Sequence, residues 1–238
     1  MHIPRPRKPL HWILTGLAVI VVLAVGGPFV YIHLFNGSTP AALSLPTASA
    51  TASTAVQQGS ISGTWNATSG SVVGYRVNEV LLGQNTTAVG RSASVTGHLT
   101  IDTIDGSTVT AASFRVPMDT IHSDKSQRDA QFDGRIMDVA RYPEGTFALT
   151  APIDLDPVPA ENTVRDYPAH GNLTLHGTTK AVTFTLRAEL RDGQIEVSGQ
   201  IPVPFSDYGI ANPSFAGFVT TQDHGTLEFL LVFAKAPG

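Results

Sequence analysis

From Gly63 onward, apolar side chains recur at every second position, the period of a strand with one buried face. Val73, Tyr75 and Val77 alternate with Gly74, Arg76 and Asn78, and Ala93, Val95, Gly97, Leu99 and Ile101 alternate with Ser94, Thr96, His98 and Thr100. Ala112, Phe114, Val116 and Met118 form a third set, and Phe147, Leu149, Ala151 and Ile153 a fourth. Leu173/Leu175, Val182/Phe184/Leu186, Ile195 to Val203 and Leu227 to Phe233 complete eight predicted strands. Asp-Gly pairs in Ile104–Gly106 and Arg191–Gln194 supply the positive φ values of tight hairpins, so sequential strands pair antiparallel. One segment breaks the alternation. Between Ser123 and Pro143 the residues Phe132, Ile136 and Met137 fall at helical spacings, which predicts a short amphipathic helix with Ser123 or Asp124 as its N-cap. The expected fold is all-β: eight antiparallel strands with one short helix, closed into a barrel or stacked as a sandwich. Closure removes exposed strand edges, and an eight-stranded barrel is either filled by its own side chains or holds one small ligand.

A different pattern precedes the strands. Leu10 to Phe35 contains no charged residue and is longer than the roughly 20 apolar residues that cross a bilayer. Residues 10–35 are predicted to form a transmembrane anchor. A signal segment is the alternative, although the run exceeds the usual ~7–15 apolar residues of a cleavable one. Arg5, Arg7 and Lys8 lie before the span and the next basic residue is Arg76, so residues 1–9 are placed in the cytoplasm and the rest outside it. The expected protein is single-pass in the cell membrane. Residues 36–60 are uncharged and rich in Ser, Thr, Ala and Pro, which reads as a flexible linker to a domain at 61–238.

Charge and cysteine usage narrow the chemistry. Three of the fifteen basic residues precede the span, leaving twelve against nineteen acidic ones, a balance unsuited to nucleic acid. The chain has no cysteine, which removes disulfides, thiolate nucleophiles and Cys-ligated metals. His98, His122, His170, His176 and His224 form neither a His-x-His nor a His-Glu-x-x-His pair, and no Gly-x-Ser-x-Gly activates a hydroxyl. His98 and His170 share the polar parity of their strands, and His176 is expected to brace a turn running from Gly177 to Lys180. Asp129, Asp133 and Asp138 read as a solvated helix face, with Asp129 also able to pair with Arg128 or cap a neighbouring element. No catalytic residue, metal site or cofactor is expected, and the protein is not read as an enzyme.

The inward positions carry more information. Phe114, Met118, Phe132, Met137, Phe147 and Phe184 are large and apolar, as are Phe205, Phe215, Phe229 and Phe233. Leu173, Leu175, Leu186 and Tyr208 complete the candidate cavity lining. Ala93, Gly97, Ala112, Ala151 and Gly199 share the inward parity, and such small residues are expected to leave room for an apolar guest.

Four stretches carry a resemblance: Thr96–Asp102 (TGHLTID), Arg128–Pro143 followed by Gly145–Leu149 (GTFAL), His170–Leu186 (HGNLTLHGTTKAVTFTL) and Ser206–Ile210 (SDYGI). In this order they resemble the YceI-like family, extracytoplasmic lipid-binding barrels of lipocalin-like shape. Phe205 stands where the family usually has an arginine, and Asn78 where a basic residue is common. The resemblance implies a lipocalin-like barrel that holds an isoprenoid or quinone-like lipid without covalent chemistry, so the expected partners are that lipid and, through the N-terminal helix, the membrane. The sequence sets no oligomeric state, and a dimer is compatible with it. Two other readings make different demands on the interior. A cell-envelope interaction module needs a barrel packed solid, and a small-molecule enzyme needs polar groups converging inside.

Overall fold

The computed structural model describes residues 39–46, 61–214, 217 and 219–237. The expected anchor at 10–35, most of the linker and Phe215 lie outside the described residues. Among the described residues no helix is long and apolar enough to cross a membrane.

Thirteen strands form one antiparallel sheet among the described residues, and they group into eight staves. β1 (Gly63–Ala67) and β2 (Val72–Leu81) make the first stave; β3 (Gln84–Ser92) and β4 (Thr96–Asp102) the second; β5 (Thr108–Pro117) and β6 (His122–Ser123) the third; β7 (Glu144–Leu149) and β8 (Ile153–Asp154) the fourth. The long strands β9 (Arg165–Leu175), β10 (Thr178–Arg191) and β11 (Gln194–Pro204) follow. After the short β12 (Val219–Thr221), β13 (His224–Lys235) closes the circle. β13 pairs with β11 on one side and with β1 and β2 on the other, placing Trp65 opposite Lys235 and Tyr75 opposite Leu227. The result is an up-and-down barrel with no open long edge.

Each predicted strand falls on one stave, but the alternation missed β1 and β3. β3 reads Gln-Asn-Thr-Thr-Ala-Val-Gly-Arg-Ser, and its inward side is small or polar for much of its length. Two hairpin turns, His176–Gly177 and Asp192–Gly193, have positive φ at both central residues, the geometry that matches strand twist. The first corrects the expected turn at Gly177–Lys180: β10 already begins at Thr178, and its Thr178 lies opposite Leu175. A third turn of this kind, Leu82–Gly83, escaped notice because leucine is an unusual residue at φ +50°. The Ile104–Gly106 stretch is not a tight hairpin but part of a five-residue loop between Asp102 and Thr108.

The helix spans Ser126–Gln131 and widens into a π-helical turn at Phe132–Ile136. Its N-cap is Lys125, without a side-chain cap, and not Ser123 or Asp124. Asp129 turns back to accept hydrogen bonds from the Ser123 backbone N–H (2.8 Å) and hydroxyl (2.7 Å). It therefore ties the helix to β6, one of the two roles its position allowed.

Residues 39–46, inside the expected linker, lie extended along the outer wall. Leu45 is buried and Leu43 half-buried, while the residues between and beyond them face solvent. Arg76 donates to the Pro40 carbonyl, Arg91 to Ala41 and Arg191 to Pro46, so guanidinium groups hold both ends of this strap. Beneath it Glu228, with no solvent exposure, pairs with Arg76 at 3.3 Å and Arg91 at 2.8 Å and accepts the Leu43 N–H at 3.2 Å. Glu228 faces outward from β13, and the strap is part of what keeps water from it.

Candidate functional site: an apolar lumen with a charged mouth

Inside the barrel lies a cavity of about 690 Å³, within the roughly 300–1,000 Å³ typical of ligand pockets. Five phenylalanines ring its waist. Phe233 meets Phe114 at 5.6 Å, Phe114 meets Phe147 at 6.3 Å, Phe147 meets Phe184 at 5.8 Å, and Phe184 meets Phe229 at 5.9 Å. These rings sit on β13, β5, β7 and β10, and the staves between them carry small residues. A Cβ on Gly97 would stand 2.6 Å from the Phe114 ring, one on Gly171 2.2 Å from Phe147, and one on Gly199 2.6 Å from Phe229. Phe114, Phe147 and Phe229 therefore each occupy the space that a side chain at the neighbouring glycine would fill.

This corrects the volume argument made from the sequence. The space over Gly97 and Gly199 is occupied by rings, Ala93 is exposed in the break between β3 and β4, and Ala151 lies beyond β7 and outside the lining. Of the five small residues only Ala112 borders the cavity itself. Phe114, Met118, Phe132, Met137, Phe147 and Leu173 line the cavity, as do Leu175, Phe184, Leu186, Phe205, Phe229 and Phe233. Tyr208 does not. It is fully buried in a 3₁₀ turn, Phe205–Tyr208, whose chain reversal turns Phe205 to the lumen and Tyr208 into the wall. The turn is held by His176, whose Nδ1 lies 3.1 Å from the Tyr208 carbonyl. Phe205, where the family usually has an arginine, adds an apolar wall; Asn78 faces solvent beside Thr87 and Gln222.

Polar groups are sorted by depth. The end of the lumen near β8 is lined by Ile101, Val109, Ile153 and Leu155, with Tyr167 its one polar residue. At the other end, Lys125, Gln127, Arg128, Gln131 and Arg135 from the helical segment face Glu79, Leu81, Pro213, Val219 and Thr221. That end is the mouth. Tyr75 and Phe132 stack at 5.1 Å just inside it, and Arg128 bridges Glu79 at 3.6 Å, so the helix is fastened to β2 by one aromatic and one ionic contact. The sequence reading missed this rim because Glu79 and the helix lie about fifty residues apart.

Burial raises the Glu79 carboxyl above its ordinary value of 4.5, with Arg128 acting in the opposite direction. The folded state thus binds this proton more tightly than the unfolded state, and ionised Glu79 lowers stability above its folded pKa. That penalty disappears as pH falls through the folded value to below 4.5. Glu79→Gln is expected to melt at a temperature equal to or above that of the parent at pH 7. Its advantage should shrink to nothing towards pH 4, which a melting series across pH measures. An advantage that grew on acidification would reverse the sign assigned here.

His98 and His170 face outward as parity required, His170 beside the Thr183 hydroxyl at 3.0 Å. Among the described residues no cluster of three or more His, Cys, Asp or Glu is placed to hold a metal.

An eight-stave up-and-down barrel with an apolar lumen and a polar mouth has the architecture of barrels with room for one small ligand. The YceI-like domain model matches residues 47–233, and the chain belongs to that family. Among solved structures, a polyisoprenoid binding domain from Saccharophagus degradans, implicated in plant cell wall breakdown, superposes with a TM-score of 0.60 at 14% identity. The match covers 73% of this chain and 99% of that one. Burkholderia cenocepacia BcnA matches with a TM-score of 0.50 at 19% identity, over 66% of this chain and 95% of that one. No curated protein matches the chain.

Proposed function

We propose that this protein is a membrane-tethered, extracytoplasmic binding protein that sequesters or carries an isoprenoid lipid in its lumen, without catalysis. The observation that carries the reading is the continuous apolar cavity of about 690 Å³ whose charged lining is confined to the mouth. An isoprenoid chain is flexible, apolar and narrow, and it needs no polar partner along its length. Burying a methylene contributes about 0.8 kcal/mol, so each five-carbon unit contributes roughly 3–4 kcal/mol before ordering costs. Two or three units inside the barrel give useful affinity. The polyisoprenoid binding domain among the solved structures supports the same ligand class.

The strap bears on the tether. Only Asn36, Gly37 and Ser38 separate the apolar run from the docked residue Thr39, a reach of at most roughly 14 Å. With residues 10–35 in the bilayer, the barrel is held against the membrane surface, where a prenyl lipid must be collected or delivered. To test the reading, the full-length protein is purified from membranes, extracted with organic solvent and examined by mass spectrometry. A prenyl lipid in near-equal molar amount to protein is the expected result. Bulk membrane phospholipid alone, in proportion to its abundance, would count against the carrier role.

A further inference from the structure

Staves alternate in direction, so chain order assigns each strand end to one end of the barrel. β2 runs up to the mouth at Glu79 and Leu81, and β10 runs away from it to Arg191 at the opposite end. The strap is held at Pro40 and Ala41 by Arg76 and Arg91, and at Pro46 by Arg191, so its first residues lie towards the mouth and its last at the far end. Arg76 stands five residues before Leu81, where its stave reaches the mouth, and thirteen after Gly63, where the stave begins. At about 3.3 Å per residue these are roughly 17 Å and 43 Å along the stave, and a strand tilt of about 40° reduces them to roughly 13 Å and 33 Å along the barrel axis. Residues 36–38, before the docked Thr39, reach at most roughly 14 Å. With residues 10–35 in the bilayer, that tether brings the mouth to the lipid surface and is too short to stand the barrel on its opposite end.

A barrel lying on its side also satisfies the tether, and the surface chemistry decides between the two. Among the described residues three large apolar side chains are exposed: Val80 at 38%, Leu82 at 44% and Ile104 at 85%. Val80 and Leu82 belong to the hairpin between β2 and β3, at the mouth. Turn tips favour Gly, Asn or Asp, which tolerate positive φ, and the matching position of the β10–β11 hairpin is Asp192. Leu82 instead holds φ +50°, a strained conformation for leucine, with its side chain turned to solvent. Ile104, at the opposite end, lies between Asp102 and Asp105, whose carboxylates resist entry into lipid.

We infer that the barrel docks mouth-first on the lipid surface, with the Val80–Gly83 hairpin tip seated between head groups and acyl chains. The inference rests on the membrane-tether reading and adds an orientation to it. The mouth end carries Asp124, Glu144 and Asp223 as well as Lys125 and Arg135, so the contact belongs to the apolar tip and a neutral bilayer suffices. Seating Leu82 removes apolar surface from water that the fold itself leaves exposed. In this orientation the lumen opens onto the bilayer.

Because the chain has no cysteine, a single introduced one can be labelled uniquely. Full-length Asn85→Cys, Asp105→Cys and Ala111→Cys, exposed beside the hairpin tip, at the opposite end and on the side wall, are each given a fluorophore. They are reconstituted in phosphatidylcholine liposomes containing phosphatidylcholine with a nitroxide high on its acyl chain. Strong quenching at position 85 is expected, with none at 105 or 111, and the pattern should be the same at low and high salt. Leu82→Asn creates the Asn-Gly pair that this turn favours, so it should melt no lower than the parent. In the same labelled background it should lose most of the quenching at 85, the docked-to-undocked ratio falling at least about tenfold on loss of one buried leucine. Quenching at 105 or 111 that equals that at 85, quenching that disappears at high salt, or quenching at 85 that survives Leu82→Asn overturns mouth-first docking through the hairpin. Any of these leaves the tether standing, provided the protein stays in the liposomes through alkaline carbonate. Extraction by carbonate overturns the tether and the orientation together.

Discussion

Ala112→Phe lowers the affinity for a prenyl chain by roughly a hundredfold while leaving the barrel folded. Ala112 lies in the middle of β5, opposite Leu99, and borders the cavity. A benzyl group built there enters open lumen and displaces about one isoprene unit. A loss of about 3 kcal/mol of apolar burial corresponds to roughly that change in dissociation constant. The neighbouring Ala111 faces solvent on the same strand, so Ala111→Phe adds an equal ring outside and is expected to leave binding unchanged. Ligand titration of the two variants beside the parent, with melting curves for each, measures the effect. Matching affinities would mean that the chain does not occupy the waist of the barrel.

Glu228→Ala should be the most destabilising substitution on the outer wall. Removing the carboxylate leaves Arg76 and Arg91 facing each other beneath the strap, and breaking a buried pair from one side typically costs about 3–5 kcal/mol. Both arginine side chains retain between 21% and 27% exposure and can rehydrate, which places the cost near the low end of that range. For a domain of this size such a loss lowers the melting temperature by roughly 6–12 °C. The Leu43 N–H also loses its acceptor, so amide hydrogen exchange across residues 39–46 should accelerate far more than exchange in β9. A lowered melting temperature with unchanged protection of the strap would show that the strap does not depend on Glu228.

Strand alternation was readable wherever one face is uniformly apolar, as in β11 and β13, and there both the elements and their inward residues follow from parity. It failed at β3, where Thr86, Ala88 and Gly90 give no strong apolar period; Gly90 is small because the Tyr75 ring opposite it occupies that space. The same kind of pairing decided the cavity. Parity showed that Gly199 and Phe229 both point inward, but only the register that sets them opposite each other reveals that the ring covers the glycine. Twelve of the fourteen candidate lining residues do border the lumen, Tyr208 does not, and Phe215 lies outside the described residues. The mouth was illegible for a different reason. Lys125, Arg128 and Arg135 read as the solvated face of an amphipathic helix, and nothing local to that segment says that the face frames an opening beside Glu79. Residues 39–46 misled through composition: Ser, Thr, Ala and Pro look like a free linker, whereas their carbonyls and two leucines match arginines and apolar wall far along the chain.

A photoreactive prenyl probe, carrying a diazirine on the second isoprene unit, tests most directly whether a prenyl chain occupies the lumen. The full-length protein is illuminated with the bound probe, digested and mapped by mass spectrometry. Adducts are expected on β5, β7, β10 and β13 at or beside Phe114, Phe147, Phe184 and Phe229, and an excess of unlabelled prenyl lipid should abolish them. Adducts confined to outward-facing residues, or labelling of the barrel interior that unlabelled prenyl lipid fails to compete away, would contradict the assignment of the lumen as a prenyl-lipid site.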